Sequence, residues 1–124
     1  MAEIRPFRMV HYAREFEGEL DRLITPPYDV ISPEEQEYFY QTHPLNIIRL
    51  VLGKQYHDDS NGNNRYTRAA SILGQWLERG VLVREETPGF MIYQMEFERA
   101  EGGRAIIDGI VALVKVDDYG QGKV

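Results

Sequence analysis

Asn64-Arg65-Tyr66-Thr67-Arg68-Ala69-Ala70-Ser71-Ile72-Leu73-Gly74-Gln75-Trp76-Leu77-Glu78-Arg79 carries the strongest periodic signal in the sequence. Ala69, Ile72, Leu73, Trp76 and Leu77 fall at i, i+3, i+4, i+7 and i+8, the apolar stripe of a helix. Asn63 or Asn64 can cap its start, and Gly80 suits the left-handed position just past its end. A stripe this complete needs a surface to cover. The segment therefore predicts a helix from about Asn64 to Arg79, packed on a sheet or on another helix.

Downstream the period changes. Val81 to Val83 reads as a short strand, and Pro88-Gly89 turns the chain. Met91, Tyr93, Met95 and Phe97 alternate with Gln94, Glu96 and Glu98, the pattern of a half-buried strand. Glu101-Gly102-Gly103 predicts a hairpin turn, and Arg104 to Val116 returns as the partner strand. Upstream, Ser32-Pro33-Glu34-Glu35 predicts a helix start: Ser32 as cap, Pro33 at the first position, Glu35 closing a capping box. That helix should stop near Gln41 to His43, before Pro44. Asn46 to Leu52 is nearly continuous in apolar residues and reads as a strand buried on both faces. Ile4 to Tyr12 reads as a strand with Pro6 at an edge or at its start. Phe16, Leu20 and Leu23 keep a helical spacing that Gly18 weakens. The polar loop Gly53 to Asn64 has the composition of a mobile segment. The fold class expected is α+β: a mixed or antiparallel sheet, two main helices packed on it, and a C-terminal β-hairpin.

The 124 residues suit a single domain, 1–124, with a core of ordinary size. There is no cysteine, which excludes disulfide staples and thiolate metal sites. The net charge of -6 argues against binding to nucleic acid for this segment. Glu3 and Arg5 stand where a secretory leader would turn apolar, and no apolar run approaches a membrane span. A cytoplasmic protein with no membrane contact is expected.

Several motifs invite chemistry. Gly120-Gln121-Gly122-Lys123 has the look of a phosphate loop, but Asp117 and Val124 stand where a glycine and a magnesium-binding hydroxyl are required. His11, His43 and His57 share no zinc spacing, and His57-Asp58-Asp59 lacks the rest of a calcium loop, so no metal site is assigned. Tyr93 and Phe97 could stack bases, though their spacing on an apolar strand face suits core residues. Arg49, set among apolar residues, either keeps its head in water at an edge or reaches a carboxylate or phosphate. Arg65 and Arg68 lie one turn apart behind Asn64 at a helix start, where N–H groups favour anions; two solvated arginines is the competing reading. Thr25-Pro26-Pro27-Tyr28-Asp29-Val30-Ile31 is stiff, because each proline fixes its own φ and biases the residue before it. Such a loop can hold Tyr28 and Asp29 in place.

Ile4-Arg5-Pro6-Phe7 together with Pro26-Pro27-Tyr28-Asp29-Val30-Ile31-Ser32 resembles the bacterial domain-of-unknown-function family 1015. Asn46-Ile47-Ile48-Arg49-Leu50, Asn64-Arg65-Tyr66-Thr67-Arg68-Ala69-Ala70, Ile110-Val111-Ala112-Leu113-Val114 and Asp118-Tyr119-Gly120 fit the same pattern. Between Tyr12 and Leu23 the sequence departs from it. The resemblance implies a longer protein, of which this chain is the N-terminal part. In such proteins a later Asp-Gly-His-His-Arg run is similar to one in ParB-like proteins and free-serine kinases. It further implies a ParB-like, nucleotide-dependent small-molecule kinase using ATP or ADP with magnesium in the full-length protein, this segment alone being inactive. Asp29 would be the catalytic group, and Tyr28, Arg49, Asn64, Arg65 and Arg68 the substrate or phosphate contacts. The partners expected are a small-molecule substrate or nucleotide, the rest of its own chain, and a second copy in a homo-oligomer. A nucleic-acid-binding ParB-like module and a scaffold or dimerisation domain without catalysis are the alternatives.

Overall fold

The structure, a computed structural model, describes residues 3–116. The chain separates into two compact units: a helical unit, His11–Val83, and a strand unit built from the segments on either side of it. The tail Gly120-Gln121-Gly122-Lys123 and the Asp118-Tyr119-Gly120 part of the family pattern lie outside the described residues.

The helical unit opens at strand β2 (Val10–Tyr12), which follows the short β1 (Ile4–Arg5). A 3-10 turn, Arg14–Glu19, then runs into α1 (Leu20–Leu23), so the spacing of Phe16, Leu20 and Leu23 is helical in two geometries. Leu23 ends fully buried. A second 3-10 turn, Tyr28–Val30, follows the two prolines in place of a fully extended loop. Helix α2 (Pro33–Thr42) starts as the sequence predicts: Ser32 Oγ accepts from the Glu35 N–H at 3.2 Å, and Glu35 Oε1 accepts from the Ser32 N–H at 3.0 Å. The Ser32 N–H, then its hydroxyl, hold the Glu35 carboxyl below its ordinary range. The helix ends at His43, before Pro44.

The segment Asn46–Leu52 corrects the expectation of a strand. It forms a turn and then α3 (Ile48–Val51). Asn46 is the reason. Its side chain is fully buried, Oδ1 accepting from the Ile48 N–H at 2.8 Å and Nδ2 donating to Arg22 O at 2.9 Å. The forward bond bends the backbone into a turn, as short amide side chains do. The Ile47 N–H then donates to Leu23 O at 2.7 Å and ties the turn to the end of α1. A short apolar run cannot be told from a buried helical turn by periodicity alone, and here partners remote in sequence decide.

Helix α4 (Arg65–Glu78) matches its prediction closely. Asn64 Oδ1 accepts from the N–H groups of Tyr66 and Thr67, Thr67 Oγ1 accepts from the Asn64 N–H, and Gly80 takes a φ of 77°. Strand β3 (Leu82–Arg84) follows and pairs with β2. Trp76, Val81 and Leu82 form the buried cluster, against which Tyr12, Phe16, Leu45, Leu50, Ile72 and Leu77 pack. The Tyr12 ring lies 6.4 Å from that of Trp76, and its hydroxyl donates to Leu45 O at 2.6 Å. Ile72, Trp76 and Leu77 of the α4 stripe are thus satisfied inside their own unit, while Leu73 stays exposed.

In the strand unit, β4 (Met91–Glu98) and β5 (Arg104–Val111) form the expected antiparallel hairpin. Gly102 and Gly103, with φ of 97° and 84°, make its turn. The return strand breaks at Ala112, and β6 (Leu113–Val114) pairs with β1 instead. One sheet shared with residues 46–52 is therefore replaced, among the described residues, by three two-stranded ladders. Met91, Tyr93, Met95 and Phe97 share a face with Val111, Ile107 and Ala105. They are not core residues in this structure: Tyr93 is 44% and Met95 54% exposed. The Tyr93 ring lies over Gly109, its cross-strand partner, where a Cβ would overlap it. No helix among the described residues is long and apolar enough to cross a membrane.

Two stability predictions follow from the core. Trp76→Ala should cost about 3–5 kcal/mol, read by circular dichroism in urea, because it empties the centre of the cluster. Tyr12 has its phenol pushed up to about 12 by burial, against the pull of the Arg49 charge. The unfolded chain loses that proton near 10, before the folded chain does. Stability should therefore be intact below pH 10 and fall as the pH rises toward 12, and Tyr12→Phe should flatten that limb.

Candidate functional site

Arg49, Lys54, Arg65 and Arg68 line one cavity of 190 Å³ in the helical unit, together with Tyr40 and Tyr56. Among the described residues no carboxylate lines it. Each cation arrives from a different local constraint, and three of them are matched in different ways.

Arg49 projects from α3 to the end of α2. Its Nη1 donates to His43 O and its Nη2 to Tyr40 O, both at 2.9 Å. These are carbonyls that a helix leaves unpaired at its C-terminus, where the dipole also favours a cation. The guanidinium lies 4.6 Å from the centre of the Tyr40 ring, in cation–π range. Arg49 thus makes a contact the sequence did not suggest: two of its N–H groups are taken by backbone carbonyls.

Lys54 follows Gly53 just beyond α3. Its N–H donates to the Tyr40 hydroxyl at 3.0 Å, and its ammonium pairs with Glu37 on α2 while facing the Tyr40 ring. The pair holds the Glu37 carboxyl below and the Lys54 ammonium above their usual ranges.

Arg68, in the first turn of α4, grips Asp59 with both arms: Nη1 to Oδ1 at 2.9 Å and Nη2 to Oδ2 at 3.0 Å. Nη2 also donates to Lys54 O, and Tyr56 stacks beneath the guanidinium. The Arg68 side chain, then the Tyr56 N–H, hold the Asp59 carboxyl below its usual range. Ser60 and Asn63 exchange backbone hydrogen bonds, and Asn64 Nδ2 donates to Ser60 O at 2.8 Å. The loop that its composition marked as mobile is thus closed by a fork-to-fork ion pair and its own turn.

Arg65 differs from the other three. It lies one helical turn before Arg68, on the same side of α4. Its Nε is buried and has no hydrogen-bond partner among the described residues. It also lines a second cavity of 350 Å³, shared with Ile31, Ser32, Gln36, Leu52 and Gln55.

A family model described as a protein of unknown function, DUF1015, matches residues 4–124. The chain belongs to the DUF1015 family. No curated protein and no solved structure matches it.

In this DUF1015 chain the structure gathers Arg49, Arg65 and Arg68 from the predicted site residues, and separates the others. Asn64 lies behind them as the helix cap, so the N–H groups of Tyr66 and Thr67 are already occupied. Tyr28 and Asp29 are exposed on their 3-10 turn, Tyr28 at 63%, and are not among the residues lining the cavity. What the Pro-Pro run of the DUF1015 pattern places at a cavity wall is its last part, Ile31 and Ser32. Lys54, Tyr40, Tyr56 and Gln55 were not legible as site residues. Reading residues 46–52 as a strand directs the chain away from α2, so nothing in the sequence joins Lys54 to Tyr40.

Arg49→Met should destabilise this DUF1015 chain by about 1–3 kcal/mol in urea melts, since charge-assisted bonds to the last carbonyls of α2 are lost. The loss should be largest for amides of α2 and α3 in hydrogen exchange. Uniform loss across the helical unit would show that Arg49 does not cap α2.

Proposed function

We propose that this DUF1015 chain contributes the phosphate-binding site of a ParB-like, nucleotide-dependent small-molecule kinase. One observation carries the reading: Arg65, whose buried Nε has no hydrogen-bond partner among the described residues, lines a cavity with three other cations and, among the described residues, no carboxylate. A buried donor without a partner is costly, and an anion is the partner that removes the cost. Phosphoryl transfer asks mainly for positioning and charge stabilisation, which suits such a cavity. The lining fits a phosphate group of ATP or ADP. With no carboxylate in it, this cavity is assigned no magnesium. Asp29 is proposed as the catalytic group on the strength of the family resemblance, and Tyr28 as its neighbour at the substrate.

The half-exposed apolar row on β4 favours a second reading, a scaffold or dimerisation domain. Calorimetry separates the two. Inorganic phosphate, pyrophosphate, ADP and ATP should each bind with an affinity that falls as salt rises, and Arg65→Gln should weaken binding about tenfold or more, or by about 1.4 kcal/mol. Serine phosphorylation by the full-length protein should be lost on Asp29→Asn. A folded chain that binds none of the four ligands would leave the scaffold reading in front.

A further inference from the structure

Arg65 lines two cavities of opposite chemical character. One holds the four cations and the two tyrosines. In the other, every lining residue apart from Arg65 is uncharged. Leu52 lines one cavity and Gly53 the other, and a Cβ at Gly53 would touch the Arg65 Cβ at 3.8 Å.

From this juxtaposition we infer that the ligand is a phosphate monoester with a neutral, hydrogen-bonding organic body, its phosphate among the cations and its body beside Ser32, Gln36 and Gln55. The inference rests on the phosphate reading above and names the class of phosphorylated small molecule, the product of such a kinase, that the same site would hold. The first cavity, at 190 Å³, is smaller than the roughly 300 Å³ at which small-molecule sites usually begin, so it suits a phosphate group without its ester body. The second, at 350 Å³, falls within that range. Its polar groups suit hydroxyls. Ser32 Oγ accepts from the Glu35 N–H and its proton faces the Glu35 carboxyl, which leaves a second lone pair to accept from a ligand hydroxyl. Gln36 Nε2 donates to Leu52 O at 2.8 Å, which orients its amide oxygen as an acceptor. Gln55 is exposed at the rim, with an amide that offers both roles. A positively charged body would be repelled by Arg65 and would meet no carboxylate there.

The test is calorimetry at low salt with inorganic phosphate, glycerol 3-phosphate and phosphoethanolamine, on the parent chain and on Gln55→Leu, with thermal melts confirming that both are folded. Glycerol 3-phosphate should bind about tenfold tighter than inorganic phosphate, and phosphoethanolamine no tighter. Gln55→Leu should remove most of the glycerol 3-phosphate advantage and leave inorganic phosphate unchanged. Equal binding of all three probes, or a Gln55→Leu chain that keeps the full advantage, overturns the inference while the phosphate reading stands. No binding of any probe overturns both.

Discussion

Everything in the helical unit turns on one buried amide. Asn46 is the polar side chain among those fully enclosed, and both of its ends are satisfied by backbone. A buried amide left without partners costs about 1–3 kcal/mol, so the arrangement is strongly selected over rotated ones. One end fixes where α3 begins and the other fixes α3 against the end of α1. From there the consequences are geometric. Ile48 goes inside, Leu50 reaches the Trp76 cluster, Arg49 arrives beneath the last carbonyls of α2, and Gly53-Lys54 emerges at the cavity. The cation cluster is a by-product of where that amide places a single helical turn.

The electrostatics of the cluster have a hierarchy. Arg68 and Lys54 are matched by carboxylates that stand outside the cavity wall, Asp59 and Glu37. Arg49 is matched by a helix end, which supplies partial charge and no full counter-ion. Arg65 has a desolvated nitrogen with no partner among the described residues. Three of the cations therefore do structural duty while also setting a positive potential, and the fourth has no structural bond through that nitrogen. The overall charge of -6 tells nothing of this, because it averages acidic residues elsewhere with a local concentration of the opposite sign.

What the sequence revealed was what is local. The caps of α2 and α4, the glycine after α4 and the Gly-Gly turn of the hairpin each involve residues within a few positions of one another, and all are found where they were expected. What it concealed was non-local. The bond from Asn46 to Arg22 spans 24 residues, and no periodicity encodes it. The division of one expected sheet into three ladders depends on where β1 meets β6 and where β2 meets β3, pairings between segments remote in sequence. The site shows the same division. Arg65 and Arg68 could be paired from helical spacing, whereas Lys54 and the two tyrosines required knowing how α2 and α3 meet. The Pro-Pro run was read as a device for presenting Tyr28 and Asp29; the structure shows it leading into α2 and leaving those two side chains exposed.

The tyrosine lying over Gly109 has a consequence for how the hairpin finds its alignment. A slip of one residue along β5 would send the row of Met91, Tyr93, Met95 and Phe97 to the wrong face of the ladder. A slip of two would preserve the faces, and hydrophobicity alone would scarcely oppose it. It would, however, set Tyr93 opposite Ile107 or Val111 in place of the one residue without a side chain. The ring could no longer lie down. The glycine thus works as a notch that admits a single tooth, correcting the error that the apolar pattern cannot detect.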